Sequence, residues 1–528
     1  MKIKYLILSL FILMSLFLLN KCFPTYRAEK VNIDTVSAGV YPDIQAKVFT
    51  SGNSIILFPD GFEIDSGYIK GKGTISNFNI TKVKNKYIHL PIDSITAMTS
   101  YQKTNNNARN FGSFLFAVTA LPLTYLGIYC ISCPKCCFGS CPTVYVNNGY
   151  EYKLEAELFS ECISKQLENN DLDLLKEKIN GNTLELKLTN EALETHYINK
   201  FEVVVAEHPY GTELFPGIDD KLLLLSSHNT PLSAVAKDGT NLTGILSKDD
   251  NKYYRTGVEK VAELKKGLVY DWVEIKLPRS RKPFIKMLLK YRNTLLSTTL
   301  LYDVVLGSQG TAGLAWTQKM NEDASYASQF KFVYDAFSGI KIKIFKNGEW
   351  KYFGKFKDAG PLNWKYIAAE IPATEQENTL VRLEFIPDDF MLDYISFDTT
   401  SAEGGYIKTA TVYPDEIIGN GRKVTDSVFS YIKNDDRKYL QTDPGDSYYL
   451  TYKIPTEDNS VKTALVYSKG YYNEWIRGSW INNKSYTYRF NLYDINGTLD
   501  HMADSWIHNS KLLEKEFFHS RFSLKEGK

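Results

Sequence analysis

Short turn signals set between runs of alternating apolar and polar residues recur along this chain, and they restrict it to a fold built mainly from antiparallel strands. Asn347-Gly348 lies between "GIKIKIFK" and "EWKYFGKF", Asn147-Asn148-Gly149 lies between "TVYV" and "YEYKLEAE", and Asp60-Gly61 interrupts "SIILFPDGFEI". Asn-Gly and Asp-Gly suit a two-residue hairpin because that turn needs positive φ at both central residues. The composition agrees: aromatic residues make up 14% of the chain and 36 of them are Tyr, a type enriched on pleated surfaces.

The 528 residues are enough for several domains. The predicted fold class is mainly β with a few helices, a multi-domain α+β chain. It comprises a small N-terminal β-barrel, a central β domain and a jelly-roll-like β-sandwich. The expected divisions are residues 1–22 as a signal peptide or anchor, 33–105 as the barrel-like unit and 110–132 as an apolar helix. Residues 133–305 follow as a central β-rich domain, 306–405 as a helix plus the sandwich, and 406–528 as a C-terminal α+β region. In the first unit, Asp60-Gly61 reads as a hairpin, and Gly71 and Gly73 read as tight turns. A short helix is predicted from Phe159 to Glu168, an apolar one within 294–320, and a closing amphipathic one from Leu499 to Phe518.

The N-terminus reads as an export signal. Lys2 and Lys4 precede an uncharged apolar run, Tyr5 to Leu19, and "LLNKC" then places Cys22 where a lipoprotein signal puts its acylated cysteine. Lys21 departs from that pattern, so a cleaved signal and an uncleaved anchor stay open beside lipid attachment at Cys22. A second apolar run, Phe111 to Ser132, is long enough to cross a bilayer, or to be a buried helix.

Five of the seven cysteines crowd together: Cys130, Cys133, Cys136, Cys137 and Cys141, with Cys162 further on. An iron–sulfur run of the ferredoxin type fails, because Ser140 stands where the fourth cysteine belongs. Disulfides, a Zn site built on Cys133 and Cys136, and free or lipid-modified thiols all fit the spacing. Asp388, Asp389, Asp393 and Asp398 are carboxylates of the kind that hold Ca²⁺, and equally of the kind that cap turns. Trp350, Tyr352 and Trp364 can form a sugar-stacking platform or belong to a core. His501, Asp504 and His508 share one face of the last helix but lie two turns apart. "SQFK", Ser328 to Lys331, matches S-x-x-K without a companion motif, and no nucleophile elbow is present. With 62 Lys+Arg against 61 Asp+Glu, no basic excess points to nucleic acid.

Three segments carry a resemblance: "CFGSCPTVYVNNGYEYKLEAELFSECISKQLENNDLDLL", "LELKLTNEALETHYINKFEVVVAEHP" and "LVYSKGYYNEW". Together they resemble a family of bacterial envelope proteins, commonly with lipoprotein-type signals. In that family a Cys-Pro leads into an aromatic strand and a Gly turn. The matching positions are Cys141, Pro142, Tyr145, Gly149, Glu157, Asn190, Glu191, Glu194 and Thr195. The resemblance implies placement in the envelope, periplasmic or on the outer surface, and supplies no catalytic residue. The expected function is an exported, membrane-associated protein that binds or scaffolds, its partners being the membrane, envelope proteins or glycans. The alternatives are the glycan-binding component of a surface uptake system and a hydrolase whose site assembles only in the fold. No cofactor is expected beyond the Zn or Ca options.

Overall fold

The computed structural model describes residues 25–31, 37–42, 44–50, 54–77, 82–104, 141–177, 179, 182–192, 194–400, 406–419, 422–443, 445–454, 461–475 and 488–519. Residues 1–22 and 110–132, with Cys22, Cys130, Cys133, Cys136 and Cys137, lie outside the described residues. Among the described residues, no helix is long and apolar enough to cross a membrane.

The N-terminal unit is one eight-stranded antiparallel sheet that closes towards a barrel. Alternate residues, among them Ala46, Val48, Ile56, Phe58, Ile69 and Met98, fill its interior. Asp60-Gly61 is not the hairpin that its residues suggest. Ser54–Phe58 and Phe62–Asp65 both pair with the long strand Tyr68–Asn77 instead of with each other. Gly61, at φ 93°, turns a corner between them, and a Cβ there would sit 2.5 Å from the Tyr41 carbonyl oxygen. The hairpin falls at Ser66-Gly67, φ 50° and 82°. Gly71 and Gly73 are also not turns; they lie inside Tyr68–Asn77. A Cβ on Gly73 would come within 2.7 Å of the Ile88 side chain and 2.8 Å of the Leu57 carbonyl oxygen, so what these glycines permit is close packing inside the barrel.

The rest of the described chain contains two β-sandwiches, one inserted in the other. The outer sandwich pairs a six-stranded with a five-stranded sheet. Thr143–Asn147, Thr183–Thr189 and Ser447–Lys453 are central in the first, and Glu194–His208 and Val461–Glu474 in the second. Val144, Leu186, Leu188 and Leu450 meet Phe201, Val203 and Val466 in one core. The strand pairing therefore cuts across the expected linear division: Asn169–Leu175 pairs with Val461–Glu474, and Thr183–Thr189 with Ser447–Lys453. Each of these early strands completes its hydrogen-bonded edges only once the late strands are in place.

The inserted sandwich stacks the strands Ser233–Ala236, Asp271–Pro278, Asn378–Phe385, Ile340–Lys346 and Glu349–Phe356 on Tyr254–Arg255, Phe390–Asp398, Phe284–Asn293 and Lys365–Pro372. Period-two alternation sends Val273, Ile275, Leu277, Ile340, Ile342 and Ile344 inwards against Ile285, Met287, Leu289 and Ile395. Asn347 and Gly348 make the hairpin turn with φ 56° and 85°. The apolar helical run, 296–337, loops out between two strands of this sandwich and packs with Ile495–His519 on the outer core. It is apolar on all sides at its start because it is buried on all sides. No helix spans Phe159 to Glu168; only Lys165–Leu167 makes a helical turn. Phe159 takes φ 39°, and its N–H donates to Asp171 Oδ2 at 2.9 Å, which breaks the helix.

The two sandwiches are joined by buried charge. Lys365 Nζ lies 2.6 Å from Asp171 and 2.9 Å from Asp173, linking a strand of the inserted sandwich to one of the outer. Burial pushes the Asp173 carboxyl up to about 7, and the neighbouring Asp171 charge adds to the effect.

Candidate functional site: an aromatic and charged sheet face

In the inserted sandwich, the outer face of the sheet containing Asp271–Pro278 is the side opposite the inserted core. Along Asp271–Pro278 the buried residues Val273, Ile275 and Leu277 alternate with Trp272, Glu274 and Lys276, so these three point outwards. The same alternation places Leu380, Arg382 and Glu384 outwards on the next strand, and Lys341, Lys343 and Phe345 on the one after. The register then puts Glu274, Arg382, Lys343 and Tyr352 in one row across four strands. Trp350 stands beside this row, opposite Phe345.

The side chains interlock. The Arg382 guanidinium carbon lies 4.6 Å from the Trp272 ring centroid and 4.1 Å from that of Trp350, both within cation–π range. Arg382 Nη2 donates to Glu274 at 3.1 Å, and Lys343 Nζ lies 2.6 Å from Glu384. Lys237 sits over Trp272 at 4.8 Å. Tyr352 keeps 63% of its surface exposed. Lys341 closes the upper end: its ammonium donates to the Tyr270 hydroxyl at 2.6 Å and to the Ala336 carbonyl at 3.0 Å. Burial lowers its pKa to about 8, helped by the nearby Lys355 charge. The face thus offers indole planes, a phenol, and donors and acceptors fixed in one layer.

The three aromatics singled out in the sequence divide. Trp350 and Tyr352 share this face, whereas Trp364 precedes Lys365–Pro372 on the opposite sheet. There it lies beside Tyr253 and against Lys290 and Arg292, at 5.1 and 4.8 Å. Trp272 takes the place in the platform that sequence reasoning gave to Trp364. Its signal was present in the alternation of "DWVEIKLP".

A second polar assembly is buried in the outer sandwich, and most of the resemblance positions meet there. Glu191 accepts from Tyr145 at 2.5 Å, from Thr189 at 3.0 Å and from Thr143 at 3.3 Å. Asn190 donates to the carbonyls of Glu194 and Thr442 at 2.9 and 3.0 Å. The Thr195 hydroxyl donates to Asp443 and accepts from Trp475, both at 2.9 Å. Glu157 accepts from the N–H groups of Leu362 and Asn363 at 2.6 and 3.0 Å, tying in the inserted sandwich. Cys141 lines a cavity of about 40 Å³ with Ser160, Tyr302, Tyr334, Asp358 and Tyr472, room for little more than a water. These bonds join segments far apart in the chain, which is a structural task.

Cys141 and Cys162 are buried free thiols, so neither takes part in the expected disulfides. Both sit among apolar core residues. Burial raises the Cys141 thiol well above its usual range, with Glu194 and Glu157 adding to the effect, so it stays protonated. Among the described residues no group of His, Cys, Asp and Glu is arranged to hold a metal ion. The aspartates of the proposed Ca²⁺ group have separate partners. Asp388 pairs with Arg255, Asp389 accepts from the Ser297 N–H, Asp393 pairs with Lys290, and Asp398 accepts from Ser226 and Thr400. His501 stacks on Tyr488, Asp504 pairs with Lys265, and His508 bonds the Asp504 carbonyl. Lys331 pairs with Asp335, one turn on in the same helix.

No family model matches this chain. No curated protein matches it either. Among solved structures, the cycloalternan-forming enzyme from Listeria monocytogenes aligns with 65% of this chain and 30% of its own length, at 8% identity and a TM-score of 0.15. The GH31 alpha-xylosidase from Xanthomonas citri aligns with 84% of this chain and 38% of its own length, at 8% identity and a TM-score of 0.13. The chain thus spans well under half the length of either enzyme. At such TM-scores these likenesses carry no argument about what the chain does.

Proposed function

We propose that this chain is an exported, membrane-associated binding protein of the bacterial envelope, and that it binds glycan through the outer face of the inserted sandwich. The observation that carries the reading is the layer formed by Trp272, Arg382, Trp350 and Tyr352. An indole offers a flat apolar surface to the C–H face of a pyranose, and the surrounding charged groups meet its hydroxyls. The test is a glycan panel probed with the intact chain, followed by calorimetry on Trp350→Ala and Trp272→Ala. Each variant is expected to lose at least tenfold in affinity while keeping its thermal transition. Unchanged affinity in both would remove the reading. Membrane association rests on residues 1–22, so a chain lacking them is expected in the cytoplasmic fraction; recovery with the envelope would place the anchor elsewhere.

A further inference from the structure

We infer that the ligand of this face is an anionic glycan, one whose pyranose rings carry carboxylates. This rests on the glycan reading above and adds the substrate class. The charges supply the ground. Each outward carboxylate on the face already has its own cation: Glu274 is held by Arg382, and Glu384 by Lys343. Lys355, at the margin, is drawn off the face by Asp335 and Glu161. Three further cations are left without an ion pair. Lys276 points outwards one row from Glu274, opposite Leu380. Lys237 lies against Trp272 and donates only to the Tyr270 carbonyl. Lys341 donates only to neutral oxygens.

Outward residues on one strand repeat about every 6.8 Å, and neighbouring strands are about 4.8 Å apart. Lys237 lies over Trp272 itself, Lys341 stands two strands from Trp272, about 10 Å, and Lys276 two outward positions along its strand, about 14 Å, so the unpaired ammonium groups line the path of an oligomer. An oligomer laid along the face beside the indoles runs past those groups. A neutral sugar leaves the three positive charges unanswered. A uronate answers them, without displacing Glu274 or Glu384 from their partners.

The test compares three probes by calorimetry on the intact chain at low and at physiological salt: a galacturonate oligomer, a neutral galactose oligomer of equal length, and polyglutamate. The galacturonate oligomer is expected to bind at least tenfold tighter than the neutral one, and the gap is expected to narrow as salt rises. Lys276→Glu combined with Lys237→Glu is expected to reduce that preference at least fivefold. Trp350→Ala is expected to weaken both oligomers. Equal or better binding of the neutral oligomer overturns the inference and leaves the glycan reading standing. Polyglutamate binding as tightly as the uronate overturns it in favour of a mere polyanion surface. Failure of both oligomers to bind overturns the inference and the glycan reading together.

Discussion

Cys141 and Cys162 show how burial decides chemistry at single residues. A thiol reacts as its thiolate, and an apolar surrounding disfavours that charge. In the native protein both are expected to resist a maleimide that labels them fully in urea, with intact mass as the readout. Labelling at equal rates in both conditions would contradict their burial. Asp443 carries the same physics into pH dependence. Burial, and then the Asp446 charge, push its carboxyl up to about 7. The folded protein holds this proton to near neutrality, while the unfolded chain releases it near 4. Between those values the folded state binds more protons, so this group's contribution to stability falls as pH rises. Asp443→Asn keeps an oxygen to accept from Thr195. It is expected to match the parent at pH 4 and to exceed it by roughly 1–3 kcal/mol at pH 8, measured by urea unfolding. A gap that is constant with pH would show that Asp443 does not titrate in this window.

At the scale of elements, the closing helix Ile495–His519 is anchored deepest at Trp506. Trp506 is fully buried, and its Nε1 donates to Asp388 at 2.7 Å, while Arg255 grips the same carboxylate at 2.6 and 2.9 Å. Trp506→Ala is expected to cost about 3–5 kcal/mol and to speed amide exchange along this helix. An unfolding midpoint within error of the parent would show that the helix is held elsewhere. This helix and the hairpin at Asn347-Gly348 were legible in the sequence, because their signals are local: an apolar stripe in one case, two residues suited to positive φ in the other. Asp60-Gly61 has the same local signature and makes no hairpin, because both flanking strands find a better partner in Tyr68–Asn77. The candidate face was half legible. Alternation says which side of a strand a residue faces, so Trp350 and Tyr352 were within reach. It does not say which strands are neighbours. Trp272 was therefore missed, and Trp364, nearer in sequence to Trp350, was assigned to a sheet it does not join.

For the molecule as a whole, the order of assembly follows from the insertion. The pairs that close the outer sandwich have very high sequence separation, Asn169–Leu175 with Val461–Glu474 among them. Loop-closure entropy makes such topologies slow to fold. A chain ending at residue 405 retains every strand of the inserted sandwich. It leaves Thr183–Thr189 and Glu194–His208 without the late strands they pair with. That fragment is expected to bind a hydrophobic dye strongly and to aggregate, with light scattering as the measure; a soluble, dye-free fragment would mean that the early strands satisfy one another.

The same insertion sets a clock. Ribosomes add roughly 5–20 residues per second, so Glu194–His208 leaves the ribosome on the order of ten seconds to a minute before Val461–Glu474 exists to pair with it. Throughout that wait the outer sandwich stays unclosed. A chain cut short before the late strands leaves the edges of the early ones exposed, a state that quality control can recognise. Synthesis of Val461–Glu474 is thus written into the fold as the event that closes it.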